Sequence, residues 1–351
     1  MGNDQIIIAF TKKGSLLAKK LSTHLKSTLR IPRRYLAEAE KQMGFNGSVT
    51  DQIQSAFAEC STLVLVMATG IAVRGIAPVL GNKQSDPAVL VIDEDGRFVI
   101  SLLPGHLGNA NQLAAAIAKY LKATPVITTA LEVNELPSLE KLAQGYQLTV
   151  ERPDLLPKFT GAILNDEPMV VWDHWGIDVA WPENVRLVKD ELPQLSPEEN
   201  MMVIIGHREL ESFNATLSIL PLRPKCLMVG IDIGEGISGA RIIGAIRRYF
   251  REHYWSLRSI RSIHTFEQEP SNPGIDEACK ELGIPLITFT KEQLPAAVPA
   301  TKKKGVQMDA DKMMDKCEAA AIFGIQNGKL IGSKQNLGQI KVAVAIDLER
   351  S

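Results

Sequence analysis

The residues best suited to chemistry stand in one short run, P-G-H-L-G-N-A-N, at positions 104–111. His106 is an imidazole that can give or take a proton near neutral pH. Gly105 and Gly108 permit unusual backbone angles or the close approach of a ligand, and Asn109 and Asn111 add two amides. The run joins an apolar strand, Val99 to Leu103, to an alanine-rich helix expected from about Ala110 to Leu121. A strand, a glycine-interrupted turn and a helix start in that order gather unpaired backbone N–H groups around one small volume. Anion binding and proton transfer are the chemistry expected there, with His106 as the group that touches substrate.

Other strand exits carry cations and hydroxyls. A-T-G-I-A-V-R-G-I-A-P (68–78) offers Gly70 and Arg74, Lys83 follows ahead of Asp86-Pro87, and Lys12 follows the first apolar run. Solvated surface cations are the plain alternative. Cations gathered at loop edges are also what a carboxylate-rich substrate requires, because a guanidinium orients a carboxylate as well as attracting it. Thr128 and Thr129, in T-T-A-L-E, follow a strand ending at Val126 and Ile127. Their hydroxyls would face the same rim as His106 if these strands are neighbours, or else simply cap the next helix.

Several chemistries are disfavoured. There is no Walker A sequence, no G-x-G-x-x-G dinucleotide fingerprint and no G-x-S-x-G elbow in a suitable context. G-I-D-I-G-E-G (230–236) has the outline of a dinucleotide loop, but Asp232 and Glu235 would repel a pyrophosphate. Cys60, Cys226, Cys279 and Cys317 lie far apart with no C-x-x-C spacing, so reduced, buried thiols are expected and no metal site.

The elements that must position these groups follow from apolar patterning over 351 residues, enough for two or three domains. Strand, loop and helix alternate from Gln5 onward, and Asp95-Gly96 signals a hairpin between the apolar runs Val89–Ile92 and Phe98–Leu103. The expected architecture is α/β: an N-terminal doubly wound mixed sheet over 1–135, a small α+β connecting domain over 136–222, and a C-terminal α/β domain over 223–351. In the last, Leu227 to Ile233 reads as a buried strand, followed by a helix from Ser238 to Phe250, strand 258–263, helix 274–283, strand 285–289, helix 311–326 and a strand pair, 329–332 with 340–346. A formal net charge of −1 disfavours a nucleic-acid partner. No apolar run reaches the ~18 residues that span a bilayer, and M-G-N-D-Q lacks the regions of a signal peptide, so no membrane association and a cytoplasmic location are expected.

At these residues the chain resembles the cobalamin biosynthesis protein G family. The resemblance rests on A-T-G-I-A-V-R-G-I-A-P-V-L (68–80), K-Q-S-D-P-A-V-L-V-I-D-E-D-G (83–96), I-S-L-L-P-G-H-L-G-N-A-N-Q-L-A (100–114) and P-V-I-T-T-A (125–130), with G-I-D-I-G (230–234), C-E-A-A-A-I (317–322) and K-V-A-V-A (341–345) in the C-terminal domain. Asn109 stands where the family usually has a second glycine, and Glu132 where it has aspartate. The C-terminal G-I-D-I-G-E departs from the family's G-I-G-C.

The resemblance implies a cobalt-precorrin-5A hydrolase of the anaerobic vitamin B12 route, opening a δ-lactone on a cobalt-containing tetrapyrrole and releasing acetaldehyde. It implies no protein cofactor, because the cobalt arrives inside the substrate. His106 is then the expected general base and the N–H groups of Gly105 to Asn109 the oxyanion donors. Lys12, Arg74 and Lys83 become carboxylate clamps, Asn111, Thr128 and Thr129 orienting groups, and Gly70 and Gly108 points of close approach. A non-catalytic tetrapyrrole carrier is the alternative, and a homodimer is left open.

Overall fold

The structure, a computed structural model, describes residues 5–38, 41, 44–81, 85–104, 110–189, 191–211, 216–267, 272–290, 315–325 and 327–348. The chain forms two compact units, Met1–Leu136 and Pro137–Ser351.

The first unit is one six-stranded sheet between two helical layers. Its elements are β1 (Gln5–Ala9), α1 (Lys12–Leu25), β2 (Thr28–Arg30), α2 (Val49–Glu59), β3 (Thr62–Val66), α3 (Thr69–Ile76), β4 (Ala88–Ile92), β5 (Phe98–Pro104), α4 (Ala110–Leu121), β6 (Thr124–Val126) and α5 (Ala130–Val133). The strand order is β2-β1-β3-β4-β5-β6. The central strands read as unbroken apolar runs because both of their faces are covered. Ile7, Ala9, Val64, Val66, Leu90 and Ile92 pack under Ala18 and Leu21 of α1 and Ile117 of α4. The alternate set, Ile6, Ile8, Leu63, Leu65, Val89 and Val91, packs under Ile53 of α2 and Ile76 of α3. Each large aliphatic side chain so enclosed stabilises the fold by about 1.5–3 kcal/mol.

β1 to β4 are parallel, and the hairpin then reverses the chain. Asp93 Oδ1 accepts the N–H groups of Arg97 and Phe98 at 2.8 and 2.7 Å. Gly96 adopts φ +66°, and its N–H donates to the Asp93 carbonyl at 2.9 Å. This is the turn expected at Asp95-Gly96. β5 therefore runs antiparallel to β4, and β6, parallel to β5, runs with it.

The second unit holds two five-stranded sheets. The first contains β7 (Leu148–Val150), β8 (Met169–Asp173), β9 (Val185–Val188), β10 (Met201–Ile205) and β11 (Ser218–Pro224), with α6 (Leu139–Gly145) and α7 (Leu156–Leu164). The order is β7-β11-β10-β8-β9, with only β7 antiparallel. The second contains β12 (Leu227–Ile233), α8 (Gly239–Glu252), β13 (Ile260–Phe266), α9 (Pro273–Leu282), β14 (Leu286–Phe289), α10 (Lys316–Ile322), β15 (Gly328–Leu337) and β16 (Ile340–Asp347), in the order β14-β13-β12-β16-β15. The helix expected over 311–326 is observed over 316–322, with 311–314 outside the described residues. A Cβ added to Gly230 of β12 would lie 1.9 Å from the Cys317 carbonyl oxygen and 2.5 Å from Ala321 N, so α10 rests its backbone directly on the strand. Two of the motifs that carry the family resemblance, G-I-D-I-G and C-E-A-A-A-I, thus meet at one packing contact.

Backbone hydrogen bonds, and one from the Ser256 hydroxyl to Glu151, join the two sheets. Glu209 N donates to the Tyr254 carbonyl at 2.7 Å and Ser256 N to the His207 carbonyl at 2.8 Å. Arg223 of β11, 2% exposed, donates to the carbonyls of Gly206 and Arg208 at 3.0 and 2.5 Å and pairs with Glu151 at 3.4 Å. No described helix is long and apolar enough to cross a membrane.

Candidate functional site

The hairpin divides the expected site residues between the two edges of the first sheet. Pro104 at the end of β5 pairs with Ala88 at the start of β4, and Ala88 pairs with Thr62 at the start of β3. β5 and β6 thus deliver the chain to the edge where β1, β3 and β4 begin. Lys12, Gly70 and Arg74 follow the ends of β1 and β3 and belong to the opposite edge. Five residues at ~3.3 Å each separate the two edges by about 16 Å. The expectation that Arg74 stands on a strand exit neighbouring that of β5 is corrected here: β1 and β3 share the sheet with β5 but are separated from it by β4, and their exits point the opposite way.

At the first edge α4 begins at Ala110, and Asn111 is 7% exposed. Asn111 Nδ2 donates to Thr129 Oγ1 at 3.1 Å. Thr129 is the residue before α5, and its hydroxyl accepts from Asn111 instead of capping that helix. Thr128 is exposed beside it. The structure therefore brings Asn111, Thr128 and Thr129 to the edge at which β5 ends. Lys83, Gly105, His106, Gly108 and Asn109 lie outside the described residues.

The second edge is a crevice that sequence reasoning did not single out as a unit. β1 and β3 are adjacent, yet α1 leaves β1 for one face and α3 leaves β3 for the other. In open α/β sheets such a switch in direction opens a crevice beyond the strands' carboxyl ends, where ligands bind. Its rim is well fixed. Thr11 caps α1 by accepting from Gly14 N at 3.1 Å, and its hydroxyl also meets the Glu94 carboxylate; Lys13 pairs with Asp95. Gly14 packs closely on the end of β3, where an added Cβ would lie 3.3 Å from the Val66 carbonyl oxygen, tighter than an ordinary contact. Arg74 Nη1 lies 3.7 Å from where a Cβ on Gly70 would stand, so its side chain folds back along α3 toward the helix start. Lys12 and Arg74 are exposed and have no carboxylate partner among the described residues.

In the second unit the acidic groups beside the G-I-D-I-G and C-E-A-A-A-I motifs are ion-paired. Asp232 pairs with Lys341 at 2.8 Å, and Asp315 with Lys334 at 2.8 Å while capping α10. Asp232, which would repel a pyrophosphate, thus serves as an ion-pair partner inside the fold. Burial holds the thiols as thiols, with Cys60 and Cys279 pushed up to about 11 and Cys226 to about 12; none is in a disulfide. A ring cluster at the junction of the sheets went unread in the sequence: His174 and His207 stand 5.3 Å apart edge to face, and His207 lies 6.2 Å from Trp255. His174 Nε2 accepts the N–H of Arg208 at 3.0 Å, which places a neutral ring's proton on Nδ1. Burial, reinforced by Arg208 and Arg223, pushes His174 down to about 2 and His207 to about 4.

Residues 51–132 match the family model described as cobalamin synthesis G N-terminal, and residues 227–345 the one described as cobalamin synthesis G C-terminus. A cobalt-precorrin-5A hydrolase from Salmonella typhimurium is 30% identical over 82% of this chain and 82% of its own length. The chain belongs to the cobalamin synthesis G family. A second member, the cobalt-precorrin-5A hydrolase of Priestia megaterium, is 28% identical over 83% of this chain and 81% of its own. A crystal structure of a cobalamin biosynthesis protein G homologue from Sulfolobus solfataricus aligns over 98% of this chain and 97% of its own, at 20% identity and a TM-score of 0.37. The N-terminal family model runs from α2 to α5 and so includes Gly70, Arg74, Asn111, Thr128 and Thr129, while β1, α1 and Lys12 precede it.

Proposed function

We propose that this chain is a cobalt-precorrin-5A hydrolase, opening a δ-lactone on a cobalt-containing tetrapyrrole and releasing a two-carbon unit as acetaldehyde. The observation that carries this reading is the 30% identity to a hydrolase of that name over 82% of both chains. A cytoplasmic place of work goes with it.

Water adds to the lactone carbonyl carbon, the ring C–O bond breaks, and a carboxylate and an alcohol result. Acetaldehyde then leaves as the alcohol carbon becomes a carbonyl; the carbon–carbon bond to the macrocycle breaks, and its electron pair takes up a proton on the macrocycle. The first step needs a base for water and donors for the oxyanion, and the second needs a group to hold the moving proton. His106 is assigned as the base and proton carrier, the N–H groups of Gly105 to Asn109 as the oxyanion donors, and Lys83 as a carboxylate partner. Asn111 and Thr129, hydrogen-bonded to each other, and Thr128 beside them orient the substrate at the edge where β5 ends. Lys12, Gly70 and Arg74 form a separate carboxylate-holding rim at the β1/β3 crevice. The cobalt is part of the substrate, and no protein cofactor is assigned.

Anaerobic incubation of the purified protein with cobalt-precorrin-5A tests the reading. Stoichiometric acetaldehyde is the expected result. A shift in the absorption spectrum without acetaldehyde would instead identify a carrier.

A further inference from the structure

We infer that a groove between α8 and the β15–β16 hairpin binds an organic polycarboxylate. The groove encloses about 340 Å³, at the small end of ligand sites, and is lined by Arg241, Gly244, Ala245 and Arg248 of α8 and by Gln335 and Leu337 of β15.

Arg241 and Arg248 are seven residues apart on one face of α8, about 10 Å along the axis. Arg241 has no carboxylate partner among the described residues. Arg248 is aimed by Glu252, which accepts its Nε at 2.8 Å and Gln335 Nε2 at 2.7 Å through its two oxygens. That shared carboxylate ties the helix to the hairpin and fixes the Gln335 amide, leaving Gln335 Oε1 buried without a partner. Between the guanidinium groups the surface is apolar or bare: Ala245, Leu337, and Gly244, where an added Cβ would meet nothing within 4 Å. Arg241, unpaired at one end, Arg248 at the other with its Nε held by Glu252, and an apolar middle fit a ligand with an apolar body and acid groups about 10 Å apart, each able to meet a guanidinium. A single compact anion would use only one end. The side chains of a tetrapyrrole and a free dicarboxylic acid share this chemistry.

The test is calorimetric titration of the full chain at low salt with uroporphyrin I, a metal-free tetrapyrrole octacarboxylate, with azelate, a nine-carbon dicarboxylate, and with inorganic phosphate. Binding of uroporphyrin I alone supports the groove and assigns it to tetrapyrrole side chains. Binding of azelate supports it and assigns it to free diacids. In either case Arg241→Gln weakens binding at least tenfold, Arg241→Lys weakens it less, and Gly244→Leu, which fills the groove from an open helical position and raises helix propensity, abolishes it. No binding of either organic acid, phosphate binding as tightly as they do, or unchanged affinity in Arg241→Gln and Gly244→Leu proteins of unaltered thermal midpoint would overturn the proposal. Binding needs no turnover, so failure to release acetaldehyde overturns only the hydrolase reading.

Discussion

Pro104 pairs with Ala88 across the β4–β5 ladder, and this pairing decides which residues can share a site. It puts the end of β5 beside the start of β4, so Asn111 and Thr129 gather at one edge of the sheet while Lys12 and Arg74 hold the other.

Replacing His106 by Ala should lower acetaldehyde release by about 10² or more, the usual contribution of a positioned acid–base group. Turnover near wild type in a correctly folded variant would remove His106 from the role of base.

Because the two edges stand about 16 Å apart, Arg74→Ala and Asn111→Ala should act independently on kcat/KM, adding to within about 0.5 kcal/mol in a double-mutant cycle. Arg74→Ala alone should raise KM with little change in kcat, and the effect should fade with added salt. A coupling energy well above 1 kcal/mol would contradict the separation.

Asn111→Ala carries a second expectation. It leaves the Thr129 hydroxyl without its 3.1 Å donor and removes a largely buried amide, which should cost about 1 kcal/mol in urea unfolding. Thr129→Val should cost more than a surface threonine does, because it leaves the Asn111 amide unpaired.

The junction histidines predict a loss of stability in acid. Their folded values, about 2 for His174 and about 4 for His207, lie below the ordinary 6.5, so below pH 6.5 the unfolded chain takes up protons that the folded one refuses. Stability is therefore complete above pH 6.5 and falls as the pH drops, by at most about 1.4 kcal/mol per unit for each ring, until His207 titrates in the fold near pH 4. Glu209 and Asp173, whose carboxyls are raised by burial, act in the opposite sense at the acid end. Urea midpoints from pH 7 to 4.5 should fall less steeply for His207→Gln than for wild type, and coincident slopes would absolve this ring.

Gly230→Ala should cost about 3 kcal/mol, since the new methyl meets the Cys317 carbonyl oxygen at 1.9 Å and only movement of α10 could relieve the clash. A thermal midpoint equal to that of wild type would show that the contact is not rigid.

Much of the fold is legible in the residues. The aliphatic runs of β1, β3, β4 and β12 announce strands covered on both faces, and Asp95-Gly96 announces the hairpin. What escapes is what depends on partners far away in sequence. β7, β9 and β11 are short or polar-interrupted, and they declare themselves only when paired to β8 and β10. The division of the site residues between two edges follows from one reversal of direction, which local periodicity does not record. His174 and His207 carry no diagnostic spacing; their cluster exists because β8 and β10 are neighbours.

The buried Arg223 has a practical consequence for anyone dissecting this chain into fragments. Its guanidinium stands between Glu151 and backbone carbonyls of one sheet, and the strand that carries it is two residues short of the next sheet. A cut between β11 and β12 would also sever the 207–209 segment from its 254–256 partner and bare both pairing edges. Expression boundaries belong instead near Leu136, where one compact unit ends and the other begins.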